Sequence, residues 1–390
     1  MRDHSSVNGE IELTILMPCL NEARTLETCI RKATRYLEES AVSGEVLVAD
    51  NGSTDGSREI ALRGGARLIE VVDRGYGAAV IAGSREARGK FIIMGDSDDS
   101  YDFLRLDPFL ASLRGGNELV MGNRFLGGIK LGAMPWKNRW IGNPGITMIG
   151  RLFFGATIGD FNCGLRGFTR EAFGRMDLRA RGMELASEMV MKATVLGMRV
   201  AEVPTVLLPD GRGKPPHMRP WRDGWRNLRI MLVYSPRWLF FYPGLAALLV
   251  GGALFIRLLL GSWRIGRINL DVDTLPFAAA FILIGFQSIL FWVYSQVFAA
   301  TEGFQPDHAL PRWLARSFSL ERSLAIGMGF FAIGFAGGLF ALVSWAHHSF
   351  GLMDVERLLR IADPSALAMT LGVQIVLSSF FLSLLLMRKD

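Results

Sequence analysis

Short apolar segments alternate with longer amphipathic segments in the first part of the chain. The apolar segments are IELTILMPCL (11–20), EVLVAD (45–50), ARLIEVV (66–72) and KFIIMGD (90–96). After the first of them, apolar residues recur at the spacing that places them on one face of a helix, namely Leu26, Ile30, Ala33 and Leu37. Strands that alternate with helices predict a mostly parallel sheet with helices on both faces.

Long apolar runs replace this pattern in the last part of the chain. Residues 276–300, 324–346 and 365–387 contain no Asp, Glu, Lys or Arg, and residues 238–256 are uncharged up to Arg257. A helix needs roughly 20 apolar residues to cross a bilayer, and four buried helices of a soluble core would rarely show such runs in succession. We therefore expect a soluble domain in residues 1–210, a basic amphipathic juxtamembrane segment in 211–237 and four transmembrane helices in 238–390.

The distribution of basic residues predicts the orientation in the membrane. MRDHSSVNGE at the start is polar, without the apolar region of a signal peptide, so we expect a cytoplasmic soluble domain. Lys and Arg number seven in 209–237, three in 301–323 and two in the tail, against three in 257–275 and two in 347–364. Because basic loops remain in the cytoplasm, both termini are expected there, in a multi-pass protein of the cell (inner) membrane.

The net charge indicates which kinds of partner to expect, and the cysteine content indicates the redox state of the compartment. The formal net charge is +6, and the excess lies before the first predicted span, which favours a lipid bilayer or a phosphorylated ligand over nucleic acid. Cys19, Cys29 and Cys163 follow no disulfide or zinc pattern, as expected in a reducing compartment.

An acidic run follows the fourth apolar segment. FIIMGDSDDSYDF (91–103) places four aspartates within seven positions, and taken alone it is as readily a solvated turn as a cation site. Two other predicted strands also end in polar residues, at Pro18–Glu22 and at Asp50–Asp55. Ligands of parallel sheets bind beyond the carboxyl ends of the strands, so three such ends favour a nucleotide pocket.

A glycine pair in GYGAA (75–79) is weaker evidence for a phosphate-binding loop. It does not form the GxGxxG fingerprint, and no Walker A sequence occurs in the chain. Arg74 beside the two glycines could approach a pyrophosphate, but an ordinary helix N-terminus is the favoured interpretation.

Seven motifs resemble, in order and spacing, the family 2 glycosyltransferases of GT-A fold, and among them the dolichyl- or polyprenyl-phosphate mannosyltransferases and glucosyltransferases. The motifs are MPCLNE (17–22), VADNGSTDGS (48–57), RGYGAA (74–79), GDSDDSYD (95–102), GNRF (122–125), DFNCGLRGF (160–168) and AEVP (201–204). The resemblance runs from about Leu13 to Leu232. It implies an α/β GT-A domain, Rossmann-like with a mostly parallel sheet, before the α-helical transmembrane bundle.

On the donor side, the resemblance implies residues that contact a nucleotide sugar. They are Pro18, Asn21 and Glu22 at the base and ribose, Asp50 at the nucleotide, and Asp96 with Asp98 as the pair of acids that holds Mg²⁺ or Mn²⁺ on the diphosphate. The chain departs from the family pattern at Asn51, where a second Asp is usual. It departs again at Asp99-Ser100, where Leu-Gln is common, which leaves the third metal ligand open.

On the acceptor side, the resemblance makes Arg124 the first candidate for binding a lipid phosphate, and Asp98 and Arg124 the predicted catalytic residues. Further candidates for the acceptor phosphate are Lys137, Arg139, Arg166, Arg212 and Lys214. Lys137 and Arg139 belong to MPWKNRWIGNPGITMIGRLFF, which is typical of an interfacial helix. Several alternatives remain open. The segment with Lys137 and Arg139 could instead be a helix packed on the core of the sheet, and Arg166 could be buried to orient a loop by a salt bridge. Membrane-surface charge could explain the residues near 212, and Glu188 could lie near the acceptor or cap or pair within its helix.

The implied activity is metal-dependent, inverting transfer of a hexose from GDP-mannose or UDP-glucose to a polyprenyl or dolichyl phosphate. A phosphate monoester is largely dianionic at cytoplasmic pH, so no separate catalytic base is expected. One alternative is a processive polysaccharide synthase, although its Q-x-x-R-W motif is absent between residues 100 and 240. Another is a membrane module that binds or flips lipid-linked sugars. The oligomeric state is left open, a homo-oligomer included.

Overall fold

The structure is a computed structural model that describes residues 11–213, 220–301, 319–347 and 354–386. The chain divides into two compact units, Met1–Tyr234 and Ser235–Asp390. The first is built around a β-sheet and the second consists mainly of long helices.

A seven-stranded sheet forms the centre of the first unit. Its strands are β1 (Leu13–Cys19), β2 (Gly44–Asp50), β3 (Arg67–Glu70), β4 (Phe91–Met94), β5 (Leu119–Asn123), β6 (Arg166–Thr169) and β7 (Val200–Pro204). They lie in the order β3-β2-β1-β4-β6-β5-β7. β6 is antiparallel to its neighbours β4 and β5, and the other pairs are parallel. The prediction of a mostly parallel sheet is confirmed.

Helices cover both faces of this sheet. They are α1 (Leu26–Glu39), α2 (Ser57–Arg63), α3 (Tyr76–Glu86), α4 (Asp107–Arg114), α5 (Arg124–Gly127), α6 (Asn143–Phe154, after a π-helical turn at Asn138–Gly142), α7 (Arg170–Met176), α8 (Leu185–Val195) and α9 (Pro220–Tyr234). Side chains of β1 alternate between two hydrophobic cores: Leu16 packs in one, Ile15 and Met17 in the other. The central strand is therefore buried on both faces, as its continuous apolar sequence requires.

Helix α9 packs within the first unit through one face that carries both polar and apolar side chains. Asp223, Asn227 and Met231 recur at helical spacing and are buried, and the Asn227 side chain accepts a hydrogen bond from Ser187 Oγ at 2.9 Å. Helix α9 therefore belongs to the first compact unit, which continues to Tyr234. The bounds at residues 210 and 237 of a separate juxtamembrane segment stay a prediction.

Four long helices make up most of the second unit. They are α10 (Tyr242–Leu259), α11 (Leu275–Thr301), α12 (Leu320–His347) and α13 (Val355–Leu386). With its preceding π-helical turn, α10 is long and apolar enough to cross a membrane, as are the other three. A short antiparallel hairpin, β8 (Trp263–Ile265) and β9 (Ile268–Leu270), joins the first two helices and was not predicted.

Glycines bring these helices together in two close pairs. A Cβ atom on Gly285 of α11 would lie 2.6 Å from the carbonyl oxygen of Gly244 on α10. A Cβ on Gly372 of α13 would lie 2.6 Å from the carbonyl oxygen of Gly327 on α12. Small residues at such crossings let two backbones approach closely, which is how helices gain packing energy in lipid.

We expect Gly285→Leu to destabilise the second unit, because the new side chain must push α10 and α11 apart. Overpacking of this kind costs about 1–3 kcal/mol, so the melting temperature in detergent should fall. Gly252→Leu is the control, since a Cβ at Gly252 meets no atom within 4 Å. Equal melting temperatures for the two variants would contradict this packing.

The three cysteines are free thiols buried in the first unit. Burial raises the pKa of Cys19 to about 11, of Cys163 to about 11 and of Cys29 to about 12. A thiol reacts as its thiolate, so all three are protected from alkylation in the folded protein.

Candidate active site

Three polar loops meet at the carboxyl ends of β1, β2 and β4. The backbone NH of Asn21 donates to Ser53 Oγ at 2.8 Å, which joins the first loop to the second. Ser97 Oγ donates to the carbonyl oxygen of Pro18 at 2.8 Å, and Thr25 Oγ1 donates to the carbonyl oxygen of Ser97 at 2.8 Å, which joins the first loop to the third. The predicted convergence of these strand ends is therefore present in the structure.

Asp50 shapes the loop after β2. Its carboxylate accepts hydrogen bonds from the backbone NH groups of Gly52 and Ser53 and from Arg58 Nε at 2.7 Å. Burial alone would raise the pKa of Asp50, but the hydrogen bonds from Ser53 and Arg58 outweigh it and hold the pKa below its ordinary value. The observed role is to order this loop, and a direct contact with a nucleotide stays a prediction.

Asn51 connects the same loop to the start of α3. Its Oδ1 accepts from the backbone NH of Gly75 at 2.7 Å, and its Nδ2 donates to the carbonyl oxygen of Asp73 at 2.7 Å. A carboxylate at this position could accept the first bond but not donate the second. The amide therefore accounts for the departure from the family pattern at this position.

The glycines of RGYGAA are required by a neighbouring loop. Gly75 has φ of 131°, and a Cβ there would overlap the carbonyl oxygen of Arg181. A Cβ on Gly77 would overlap the carbonyl oxygen of Ala180. Arg74 Nη1 donates to the carbonyl oxygen of Asn51 at 3.0 Å. These contacts agree with an ordinary helix N-terminus rather than a phosphate loop.

Asp96 and Asp98 lie at the centre of the converging loops. Tyr76 OH donates to Asp96 Oδ1 at 2.9 Å. Asp98 Oδ1 accepts from the backbone NH of Ser100 at 3.0 Å and from its Oγ at 2.5 Å. Asp98 Oδ2 is paired with the Nη2 atom of Arg212. Both carboxylates are therefore held in defined orientations by protein groups.

Negative charge is crowded in this cluster. Burial raises the pKa of Asp96 to about 6, and the charge of Asp98 contributes to the increase. Burial also raises the pKa of Glu22 to about 7; the positive charge of Arg212 opposes this shift, and Asp98 and Asp96 add to it. A cation that neutralises these carboxylates would relieve both the burial cost and the repulsion.

The carboxylate pair fits a hard divalent cation, although the protein alone does not enclose one. In the part of the chain that the structure describes, no group of three or more His, Cys, Asp or Glu side chains is arranged to hold a metal ion. Mg²⁺ is usually held by one or two carboxylates together with water and substrate phosphates. Asp96 and Asp98 supply such an incomplete, all-oxygen set.

Arg124 is engaged in a buried ion pair. Its Nε and Nη2 atoms donate to the two carboxylate oxygens of Asp160, both at 2.7 Å, and its backbone NH donates to the same carboxylate at 3.1 Å. Arg124 is 8% exposed and Asp160 is fully buried. The geometry does not support Arg124 as the main ligand of the acceptor phosphate, because its planar donor edge is already occupied.

Arg166 is also unavailable to a phosphate. Its three nitrogen atoms donate to the carbonyl oxygens of Cys163 at 2.8 Å, Ala186 at 2.8 Å and Phe161 at 3.2 Å, and the residue is 2% exposed. The side chain orients the loop before β6, but through carbonyl oxygens rather than through the salt bridge that the alternative interpretation proposed. A Cβ on Gly164 of this loop would overlap Asp96 Oδ2. Arg166 therefore affects the site indirectly, by holding the loop that packs against Asp96.

An exposed aromatic surface carries the basic residues Lys137 and Arg139. Lys137 Nζ lies 5.8 Å from the ring centroid of Trp136, and the Arg139 guanidinium carbon lies 5.4 Å from that of Trp140. The two tryptophans are 63% and 69% exposed. More apolar side chains are exposed on the same segment, namely Ile141, Met148 and Leu152. Exposed Trp beside Lys and Arg is typical of a membrane interface.

Comparison with known proteins identifies the family of this chain. Residues 14–176 match the family model "Glycosyl transferase family 2", and residues 293–386 match the "Glycosyltransferase family 2 C-terminal transmembrane region". The low-salt glycan biosynthesis hexosyltransferase Agl6 of Haloferax volcanii is 36% identical over 373 residues, which are 95% of this chain and 88% of the relative. The chain belongs to glycosyltransferase family 2.

Other family 2 proteins align over shorter segments. The glycosyltransferase AglJ of Haloferax volcanii is 31% identical over 73% of this chain and 92% of its own. A dolichyl-phosphate hexose transferase of the same organism is 31% identical over 50% of this chain and 81% of its own. A solved glucosyl-3-phosphoglycerate synthase of Mycobacterium tuberculosis reaches a TM-score of 0.46 at 19% identity, over 60% of this chain and 86% of that one, a likeness too low to bear on ligands. The resemblance found in the seven motifs is confirmed.

The other residues predicted for this family 2 enzyme lie in different environments or outside the described residues. Arg212, which was predicted to bind the acceptor phosphate, pairs with Asp98 and Glu22, two residues that were predicted to bind the donor and its cation. Lys214 lies outside the described residues. Glu188 is buried and accepts from the backbone NH of Ala180 at 2.8 Å and lies 3.0 Å from Lys192 Nζ, so it anchors the loop that packs on Gly75.

Sequence reasoning missed two members of the site. Tyr76 orients Asp96, although it was quoted only as part of a glycine motif. Asp160 opens the DFNCG motif and neutralises Arg124, and an aspartate in a motif that also supplies a candidate arginine was the available signal. Neither partnership follows from spacing, because 20 residues separate Tyr76 from Asp96 and 36 separate Arg124 from Asp160.

We expect Asn51→Asp to destabilise the first unit. The substitution removes the donor to Asp73 and places a carboxylate against a carbonyl oxygen, at a cost of about 1–3 kcal/mol. The melting temperature should fall by about 2–4 °C per kcal/mol in a unit of this size. Asn269→Asp in the exposed hairpin is the control, because it adds the same charge without a buried partner. The interpretation of Asn51 fails if Asn51→Asp melts with the wild type.

Proposed function

We propose that this protein transfers a hexose from a nucleotide sugar to a polyprenyl or dolichyl phosphate, with Mg²⁺ or Mn²⁺ and with inversion at the anomeric carbon. The observation that carries the proposal is the Asp96–Asp98 pair at the meeting point of three strand ends in a family 2 chain. Support comes from the relatives, one named a hexosyltransferase and another a dolichyl-phosphate hexose transferase. The donor would be GDP-mannose or UDP-glucose.

The donor half of the reaction would use the three converging loops. Pro18, Asn21 and Glu22 would line the base and ribose, because they lie on the loop after β1. Asp96 and Asp98 would hold the cation, which when bound supplies positive charge to the departing diphosphate. Tyr76 and Ser100 keep the two carboxylates oriented, which reduces the reorganisation needed when the donor arrives.

The acceptor half would use the exposed aromatic surface. A lipid phosphate lies at the headgroup level of a bilayer, where Trp136 and Trp140 would insert beside Lys137 and Arg139. The phosphate would attack directly, because its dianion needs little help from a base. In this proposal Arg124 is a positioning residue that keeps the GNRF and DFNCG segments together through Asp160.

The membrane location follows from the second unit. Four helices among the described residues are long and apolar enough to cross a bilayer. The excess of Lys and Arg in the loops between alternate spans favours a catalytic unit on the cytoplasmic face of the cell membrane. A cytoplasmic site is also where a nucleotide sugar would be available.

The decisive experiment is a transfer assay in detergent with UDP-glucose or GDP-mannose, a short-chain polyprenyl phosphate and Mn²⁺. We expect one donor to yield a lipid-phosphate hexose. Asp98→Asn should lower the rate by at least about 100-fold, because loss of even an indirect partner of a metal lowers metal affinity or activity by about 10- to 100-fold. Asp102→Asn is the matched control, because Asp102 contacts the backbone NH of Leu104 in the same loop at 3.2 Å. A fully active, folded Asp98→Asn variant at saturating Mn²⁺ would refute the metal assignment.

Topology can be tested with single introduced cysteines. We expect Ile265→Cys and Phe350→Cys to react with a membrane-impermeant maleimide from outside the cell, and Leu310→Cys to react only after permeabilisation. The native cysteines are buried, which keeps the background low. The opposite accessibility at all three positions would reverse the orientation and remove the catalytic unit from its donor.

A further inference from the structure

Arg212 lies against the acidic cluster in an arrangement that matches the carboxylates poorly. Its Nη2 atom pairs with Asp98 Oδ2, and its Nε lies 3.3 Å from Glu22 Oε1. That Nε is buried and makes no hydrogen bond of acceptable geometry. Arg124 offers a contrast in the same unit, since two of its nitrogens meet Asp160 at 2.7 Å each. Arg212 is therefore held by one hydrogen bond to Asp98 and, on the side of Glu22, by charge alone.

The backbone of the segment is anchored independently of the Arg212 side chain. The NH of Gly211 donates to the carbonyl oxygen of Asp98 at 2.9 Å, and the NH of Leu208 donates to that of Ser100 at 3.0 Å. Arg24 Nη1 donates to the carbonyl oxygen of Arg212 at 3.0 Å. The guanidinium can therefore change partners by side-chain rotation while its Cα stays beside the cluster.

The guanidinium and a divalent cation require the same oxygens. Asp98 Oδ2 is bonded to Arg212 and belongs to the carboxylate proposed as a metal ligand. Two cations on one carboxylate would repel each other strongly in this buried setting, where the effective dielectric constant is far below that of water. One of them must leave when the other binds.

We propose that Arg212 is a tethered cation that competes with the divalent metal for Asp98, and that passes to the diphosphate of the donor when the metal enters. The inference rests on the proposed function and extends it. The diphosphate brings enough negative charge for both cations, and a planar guanidinium matches phosphate oxygens. Metal binding is then coupled to donor binding, because without the diphosphate the displaced arginine has no anionic partner.

The test is Mn²⁺ binding to the full-length protein in detergent, measured without nucleotide from the loss of the free Mn²⁺ signal in electron paramagnetic resonance. Arg212→Ala should bind Mn²⁺ at least about tenfold more tightly than the wild type, since a charge-assisted contact that opposes the metal is removed. With saturating Mn²⁺, the same variant should bind UDP or GDP at least about tenfold more weakly by calorimetry. Arg212→Lys should have affinities for Mn²⁺ and for nucleotide between those of the wild type and those of Arg212→Ala.

Two further variants separate competition from general effects. Arg105→Ala removes an exposed cation 3.7 Å from Asp102 in the same loop and should leave both affinities unchanged. Asp98→Asn in the Arg212→Ala background should abolish the gain in Mn²⁺ affinity.

The outcomes distinguish failure of this inference from failure of the proposed function. Equal Mn²⁺ affinity in the wild type and Arg212→Ala, or a loss of both metal and nucleotide in Arg212→Ala, overturns the competition while the metal site remains. If neither protein binds Mn²⁺ even with UDP or GDP present, the acidic pair is not a metal site, and the metal-dependent function falls with the inference.

Discussion

Repulsion between carboxylates at the edge of a parallel sheet is the constraint on which the first unit depends. Strands β1, β2 and β4 are parallel neighbours, so their carboxyl ends share one edge and bring together acidic loops that are distant in sequence. Asp50 is neutralised by backbone NH groups and Arg58. Asp96 accepts one hydrogen bond from the Tyr76 hydroxyl, but burial and the charge of Asp98 still raise its pKa. The least compensated acids lie where the sugar diphosphate and its cation are proposed to bind.

Arginines in this unit differ in whether their N–H donors already have hydrogen-bond acceptors within the protein. This difference separates arginines that hold loops in place from an arginine that could bind a ligand. Arg166 donates to three carbonyl oxygens, two in the loop before β6 and one in α8. Arg124 donates along its planar edge to Asp160. Both fix the loops around Asp96 without facing solvent. Arg212 differs because its bonding is incomplete, and incomplete bonding is what allows a side chain to exchange partners during a reaction.

The second unit is held together by a different force. Apolar side chains gain little from contacting one another in lipid, so close backbone packing must supply the association energy. Gly285 against Gly244 and Gly372 against Gly327 permit it, which gives two close helix pairs. At one end, Arg360 Nη2 lies 2.8 Å from Asp271 Oδ1, an ion pair that ties α13 to the segment just before α11.

Periodicity and apolar length determined the elements, because each is a local property of the chain. The alternation of strands and helices, the four long apolar runs and the order of the seven motifs were sufficient for the fold class and the family. The loops after β1, β2 and β4 were predicted to converge for an equally local reason, since each motif directly follows its strand. Asp96 and Asp98 were predicted as a pair because only one residue separates them in the sequence.

Only the tertiary structure decided which charged groups have partners. No residue near Arg124 in the sequence predicts its pairing with Asp160. Likewise, no residue near Asp98 predicts its pairing with Arg212, which lies 114 residues later. The same holds for Gly75, whose conformation is set by the distant loop at Arg181. A motif identifies a residue type and its neighbours along the chain, but burial and hydrogen bonding depend on segments brought together by folding, and those determine whether an arginine can bind a phosphate or is already occupied.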